Sequence, residues 1–462
     1  MKMKIYIDTL GCMKNFNDSE MAAGILEEAG FVVCERPEHA DALMVNTCGF
    51  IDDAKKESIS RIFELAEIKG KRPLIVSGCL SQRYIKELFR EMPEVDLFLG
   101  VNEYGRLPEI LKDFSEKRER DASFRDQRVE NTYDGFENAR KRKLPENTYS
   151  ASLKIAEGCN NRCAYCVIPK IRGPFRSREE EDILAEAGEL SARGVKELIL
   201  IAQDVSAYGM DIYGEYRLAA LLRKLCKIEG IRWIRLMYCY EDRITDELID
   251  TIASEPKICK YIDIPIQHAS DAILKAMRRR SSRAGIEDTL RRLRERVPGI
   301  HIRTTLITGF PGETAEDFAE LLDFVKKERF ERLGVFAYSR EEGTEAASMK
   351  KQLRSDVKER RKDRIMREQA EISLSRNREK IGKILDVLVE ERDSDAPGLF
   401  EGGRELKTYI GRSEYDAPEI DGSVIFTSER ELGPGDFVRV RIDDAFDYDL
   451  TGRELSEKDG FR

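Results

Sequence analysis

Three thiols stand in the run Ala156-Glu-Gly-Cys159-Asn-Asn-Arg-Cys163-Ala-Tyr-Cys166, just after a strand-like stretch. Thiolates at that spacing can hold three irons of a 4Fe-4S cube and leave the fourth iron open to a substrate or cofactor. A structural zinc site is the rival reading. Such sites want four protein ligands and usually pair two short cysteine motifs, and no second motif lies in the segment around Cys159.

A second trio is spread along the first hundred residues. Cys12, Cys48 and Cys79 each follow a strand-like run at once, in Leu10-Gly-Cys12, Asn46-Thr-Cys48 and Ser77-Gly-Cys79. The carboxyl ends of parallel strands share one edge of a sheet, where such folds bind ligands. Three more thiols could meet there and hold a second cluster with an open iron, or they could be buried as apolar cysteines. Cys34, Cys226, Cys239 and Cys259 are scattered and read as packing.

The elements that must position these thiols can be read from periodicity. Residues 1–111 alternate short apolar runs with helical segments, which predicts a doubly wound parallel sheet. Residues 112–148 are charged, include Ala139-Arg-Lys-Arg-Lys143, and read as a linker. Residues 149–350 carry six strand-like runs alternating with amphipathic helices, which suits an open, partial (β/α)6 barrel whose loops after the strands form one working face. A charge-laced connecting helix follows over 351–380. Residues 381–450 read as a small all-β barrel and 451–462 as a tail.

Other polar residues belong near the working face. Gln203 and Asp204 end the second strand of the central segment, and Gln267 and His268 follow the fourth. Gly309 and Glu313 lie in Thr308-Gly-Phe-Pro-Gly-Glu313 after the fifth, where glycine lets backbone approach a cofactor closely. Thr314 with Asp317 can cap the helix that follows.

The chain has 462 residues, ten cysteines and a net charge of −9. A chain this long does not need disulfide staples, so metal ligation is the better use of the clustered thiols. No apolar run reaches the ~20 residues a bilayer demands, and the first residues run into a strand rather than a signal peptide; the expectation is a cytoplasmic protein. From Lys380 to Arg462 there are 12 Lys+Arg against 21 Asp+Glu, so the whole negative excess sits in the C-terminal segment. That argues against a chain that lives by coating nucleic acid.

The motif Cys159-x-x-x-Cys163-x-x-Cys166, with Tyr165 before the last cysteine, resembles that of the radical S-adenosylmethionine superfamily. The upstream trio and the small C-terminal β-barrel, which resembles a TRAM domain, narrow the resemblance to the methylthiotransferases. Within them, Asn46-Thr-Cys-Gly-Phe-Ile51, Leu153-Lys-Ile-Ala-Glu-Gly-Cys159 and Phe446-Asp-Tyr-Asp-Leu450 resemble the ribosomal protein branch. Phe50 and Ile51 stand where the tRNA-modifying branch carries a different tripeptide and a nearby Arg.

The resemblance implies an enzyme that adds a methylthio group to the β-carbon of an aspartate in ribosomal protein S twelve of the small subunit. It implies two 4Fe-4S clusters and two molecules of S-adenosylmethionine. Cys159, Cys163 and Cys166 would hold the cluster that reduces the cofactor to methionine and a 5'-deoxyadenosyl radical; Cys12, Cys48 and Cys79 would hold the sulfur site. Gln203, Gly309 and Glu313 would contact the cofactor. The expected partners are the basic ribosomal protein or its subunit and a flavodoxin or ferredoxin-type electron donor, with the enzyme a monomer. An acidic C-terminal barrel independently suits a basic protein better than RNA. An adenosine in tRNA is the rival substrate, and a non-catalytic metal-binding adaptor the rival from a different class.

Overall fold

Strands buried on both faces define the first sheet. Ala42–Thr47 and Leu74–Gly78 are buried at every residue, as central strands of a helix-covered parallel sheet must be. The structure, a computed structural model, describes residues 2–130, 136–396, 399–401 and 404–455. Its first six strands are β1 (Lys4–Thr9), β2 (Val32–Cys34), β3 (Ala42–Thr47), β4 (Leu74–Gly78), β5 (Leu97–Leu99) and β6 (Asp126–Arg128). They form one parallel sheet in the order β2-β1-β3-β4-β5-β6. Helices α1 (Met13–Glu28) and α4 (Leu107–Arg120) pack Leu26, Ile110 and Phe114 on one face. On the other, α2 (Asp52–Ile68) and α3 (Cys79–Glu91) pack Ile62, Leu65 and Leu88.

The charged stretch over 112–148 differs from the expected linker. Helix α4 runs on to Arg120 and β6 extends the sheet. Arg142 is buried, with its guanidinium on Glu20 (2.6 Å) and Glu186 (2.5 Å), and Lys143 pairs with Glu27. The charges satisfy one another across an interface, which composition alone cannot distinguish from solvation. Residues 131–135 lie outside the described residues.

The central segment begins with β7 (Ser150–Lys154) and a two-residue ribbon, β8 (Ala156–Glu157) and β9 (Arg176–Ser177). Strands β10 (Glu197–Ile201), β11 (Trp233–Leu236), β12 (Ile258–Asp263), β13 (His301–Thr308) and β14 (Arg332–Ala337) follow. The parallel order is β14-β13-β12-β11-β10-β7, with no pairing between β14 and β7 among the described residues, so the barrel is open. Helix α5 (Ile168–Arg172) lies in the first loop; α6 (Glu180–Ala192), α7 (Leu218–Leu225), α8 (Asp246–Ser254), α9 (Asp271–Ala276), α10 (Arg283–Arg296) and α11 (Ala315–Glu328) are the crossovers. After the short α12 (Glu345–Ser348), α13 (Ser355–Arg378) packs Ile365 and Ile372 over β14 and α11.

The C-terminal strands are β15 (Ile384–Arg392), β16 (Leu399–Glu401), β17 (Arg404–Ser413), β18 (Val424–Ser428), β19 (Phe437–Ala445) and β20 (Leu450–Glu454). Pairing of β15 with both β17 and β19 closes a five-strand barrel around Val387, Tyr409 and Phe426. Residues read as the start of a tail therefore form β20, which pairs with β18 and β19; residues 456–462 lie outside the described residues.

This small barrel closes the bottom of the open one. Glu197 of β10, fully buried, receives Arg412 (2.6 Å) and Arg235 (2.9 Å). Asp416 takes Arg332 (2.6 Å), and Asp421 takes the Tyr261 hydroxyl (2.7 Å). Burial alone would push the Glu197 carboxyl up, but Arg412 and Arg235 outweigh it and hold the group at about 2. Asp416, also buried, is held at about 2 by Arg332 and Lys380. Both values are depressed, so the stability they lend is present above about pH 4.5 and is lost as the pH falls toward 2. Trp233, the single tryptophan, meets Phe437 across this interface at 4.8 Å. Tryptophan fluorescence is expected to report release of the C-terminal barrel over that acid window; a signal flat from pH 7 to about 2 would contradict it.

Candidate active site

Strands β1, β3 and β4 are neighbours, so the residues that follow them share one edge of the first sheet. Cys12 is the N-cap of α1, Cys48 follows β3, and Cys79 opens α3. Gly11 (φ +94°) and Gly78 (φ +95°) turn the chain into Cys12 and Cys79 through conformations that L side chains avoid. A Cβ on Gly11 would stand 2.7 Å from the Cys48 Cβ, which measures how tightly these turns pack. Burial pushes the Cys48 thiol up to about 11, and the charges of Cys79 and Cys12 push the same way. The Cys48 sulfur would stand 3.1 Å from the same Cβ added at Gly11, so it lies against the turn that leads into Cys12.

Asn15, one turn into α1, ties the trio to its surroundings. Its Nδ2 donates to the carbonyls of Leu10 (2.9 Å) and Thr47 (3.1 Å), and its Oδ1 accepts from Arg172 Nη2 (2.8 Å). The same Nη2 lies 3.3 Å from Cys79 Sγ, while Nη1 donates to Asp18 (2.6 Å).

Arg172 belongs to the barrel, and ends the short helix α5 that leaves Cys166. The trio of Cys159, Cys163 and Cys166 stands just before it. Gly158 (φ +78°) turns into Cys159, and a Cβ there would overlap the Pro174 carbonyl. Cys159 Sγ accepts from the Asn161 N–H and Cys166 Sγ from the Ile168 N–H, each at 3.4 Å. Cys163 Sγ lies 3.9 Å from the Tyr240 hydroxyl. Burial raises the Cys166 thiol most, and Cys163 and Cys159 add to the rise. Asn161 is fixed by Asp204 (2.9 Å) and Arg243 (2.8 Å). Arg279 stacks on Tyr240 at 4.3 Å and binds Glu241.

Both trios suit the group their spacing suggests. Among the described residues no three His, Cys, Asp or Glu side chains converge on a single ion; in a cube each thiolate binds its own iron. N–H groups aimed at Cys159 and Cys166 stabilise sulfur as thiolate, which is how proteins tune such clusters.

Apolar contacts and ion pairs join the two trios. Val167, Ile171 and Cys79 share one buried cluster. Lys154 pairs with Asp18 and Glu157, and Glu157 accepts from Gln203 Nε2. On the other side, buried Glu341 in the loop after β14 takes Lys55 (2.8 Å) from α2 and Arg83 (2.7 Å) from α3. The Tyr338–Thr344 run is thus a clamp between the two domains. Replacing Arg172 with Met would leave Asp18 short of a partner and remove the donor on Cys79. Breaking a buried pair of this kind costs about 3 to 5 kcal/mol, and a thermal melt of Arg172→Met should show the loss; an unchanged melting temperature would contradict it.

Not every residue singled out in the sequence points into this space. Gln203 turns toward Glu157, although its Oε1 is buried without a hydrogen-bond partner among the described residues. Gly309 (φ +75°) lies under Lys358 of α13. Glu313 Oε2 accepts from the Gly309 N–H (2.5 Å) and the Phe310 N–H (3.1 Å), and its Oε1 pairs with Arg361 (2.5 Å). Its carboxylate therefore holds its own loop in shape. His268 accepts from the Ser270 N–H at Nδ1 (2.9 Å), and burial lowers it to about 4, so it is neutral. Asn15, Arg172 and Tyr240 had no signal in the sequence; Asn161 had one, its place inside the cysteine motif, and Glu157 another, its place in the run that leads into Cys159.

Comparison with known proteins agrees with this architecture. Residues 153–325 match the model of the Radical SAM superfamily, 4–100 that of Uncharacterized protein family UPF0004, and 381–454 that of the TRAM domain. Ribosomal protein uS12 methylthiotransferase RimO of Desulforamulus reducens is 51% identical over 452 residues, 97% of this chain and 98% of that protein. The protein of the same name from Acetivibrio thermocellus is 48% identical over 461 residues, 99% of each. The radical S-adenosylmethionine methyltransferase TsrM from Kitasatospora setae shares the fold at a TM-score of 0.52 and 16% identity, covering 72% of this chain and 73% of that one. The cobalamin-dependent radical enzyme OxsB does so at 0.52 and 14%, covering 80% and 56%. With near full-length identity of this order to RimO proteins, the chain belongs to the RimO family and is a radical S-adenosylmethionine methylthiotransferase.

Proposed function

We propose that this enzyme methylthiolates the β-carbon of one aspartate in ribosomal protein uS12, with a 4Fe-4S cluster on each cysteine trio and two molecules of S-adenosylmethionine consumed per product. The observation that carries the two-site reading is Arg172, which leaves the helix after Cys166 and donates to Cys79, so the two trios share one wall. When bound, the clusters and S-adenosylmethionine supply one-electron chemistry at an unactivated carbon and the sulfur to be transferred.

The chain's own residues bind, orient and exclude water. Cys159, Cys163 and Cys166 would take three irons of one cluster, and Cys12, Cys48 and Cys79 three of the other. The N–H groups of Asn161 and Ile168 stabilise the barrel thiolates, and Arg243 and Arg279 set positive charge beside them. Gln203 offers its unpartnered Oε1 to the cofactor, while Gly309 and Glu313 shape the loop beside it. Ala164, Met277, Phe310 and Tyr338 form an apolar cluster next to Cys163 that keeps water out. Electrons would come from a flavodoxin or ferredoxin-type donor. The enzyme would act as a monomer in the cytoplasm, where its ribosomal substrate is made. Among the described residues no helix is long and apolar enough to cross a membrane.

The test is to incubate anaerobically reconstituted enzyme, S-adenosylmethionine and a reductant with uS12 and, separately, with tRNA, and to weigh both products. The expected result is a methylthio group in place of one hydrogen on an aspartate of uS12. The same gain on tRNA alone would overturn the proposal.

A further inference from the structure

A groove of about 490 Å³ runs where the three domains meet. Its floor is apolar: Ile199 of β10 is buried in a cluster against which Met13 and Tyr149 pack. Met13, which lines the groove, directly follows Cys12, itself exposed, so the lining reaches to within one residue of the N-terminal trio. Phe16, 42% exposed on α1, stands on the same floor.

The rim is acidic. Glu20 from α1, Glu146 from the segment before β7, and Glu390 and Glu419 from the C-terminal barrel face one cation, Arg412. That guanidinium is already engaged by Glu197 and Glu390, each at 2.6 Å. Glu20 is answered by Arg142, but Glu146 and Glu419 are exposed and make no ion pair among the described residues. An apolar floor between unanswered carboxylates suits a chain that brings its own positive charge, and it repels phosphate.

We infer that this groove seats an extended, lysine- and arginine-bearing segment of the substrate protein and leads it to Cys12. The inference rests on the uS12 reading above and adds where that protein lies. It also divides the labour of the C-terminal barrel. Asp416 and Asp421 are engaged by the enzyme's own Arg332 and Tyr261 and hold the domains together, while Glu419, in the same loop, is left for the partner.

The experiment is steady-state methylthiolation of uS12 by the whole reconstituted enzyme carrying Glu146→Lys and Glu419→Lys together. KM for uS12 is expected to rise about tenfold, with the loss falling on KM rather than kcat. A control with Glu67→Lys and Glu371→Lys, exposed residues on α2 and α13, makes the same change in net charge and should not move KM. If the groove pair and the control behave alike, the groove assignment is overturned while the substrate reading stands. Wild-type enzyme that leaves uS12 unmodified brings down the substrate reading and, with it, the groove. Should the lysine pair fail to fold in a thermal melt, Glu146→Gln with Glu419→Gln reads the same effect at about threefold. A groove variant that instead gains activity on tRNA would also overturn the inference.

Discussion

Cys163→Ala enzyme, prepared and reconstituted without oxygen, is expected to hold about four fewer irons than wild type and to convert no uS12. Cys163 is the middle thiol of its trio. Its sulfur lies 3.9 Å from the Tyr240 hydroxyl, and the next two residues, Ala164 and Tyr165, pack with Phe310 and Tyr338. Two thiolates cannot hold three irons of a cube. The fold itself should survive, because Cys163 is a small buried side chain whose backbone bond, from the Cys166 N–H, does not depend on its sulfur. Cleavage of S-adenosylmethionine should fall to background as well. Full iron content or residual product would show that this trio is not the cofactor-activating site.

Cys48→Ala should separate the two halves of the reaction. Cys48 lies between Cys12 and Cys79 on the central strand of the three, against the turn of Gly11. Its removal should also cost about four irons, this time from the N-terminal domain. The barrel trio keeps its ligands and its N–H donors, so cleavage of S-adenosylmethionine should continue. Methylthiolated uS12 should be absent, because the sulfur site proposed for this trio would be lost. Spectra that report the barrel cluster should persist in Cys48→Ala and vanish in Cys163→Ala. Product formation by Cys48→Ala would place the sulfur elsewhere.

Local pattern carried much of the architecture. Six apolar runs at helical intervals foretold β7 and β10 to β14, and a cysteine after each of β1, β3 and β4 foretold thiols at one sheet edge, since parallel strands leave no other place for those residues. What was hidden was long-range and polar. Strand β2 has three residues, and β6 (Asp-Gln-Arg) is an edge strand with no apolar signature. Arg142 looks like part of a solvated basic run until Glu20 and Glu186, from two different domains, are placed around it. Arg172 and Cys79 are 93 residues apart, and Lys154 and Asp18 are 136 apart; no spacing rule spans such gaps. Glu313 shows the reverse. Its position after β13 suggested a cofactor contact, and the fold uses its carboxylate to hold Gly309 and Phe310 in place.

The C-terminal barrel shows what bulk charge leaves out. Its negative excess suggested one purpose, attraction of a basic protein. In the fold these carboxylates stand in two settings: Asp416 and Asp421 accept from Arg332 of β14 and Tyr261 of β12, while Glu419 is exposed in the groove. Acid should therefore loosen the interface that Glu197 and Asp416 hold, while salt should first weaken the substrate capture proposed for the groove.

Iron and acid-labile sulfide counts on anaerobically reconstituted wild-type enzyme test the two-cluster claim most directly. The predicted result is about eight irons and eight sulfides per chain, one cube for each trio. About four of each, or zinc without sulfide, would contradict it.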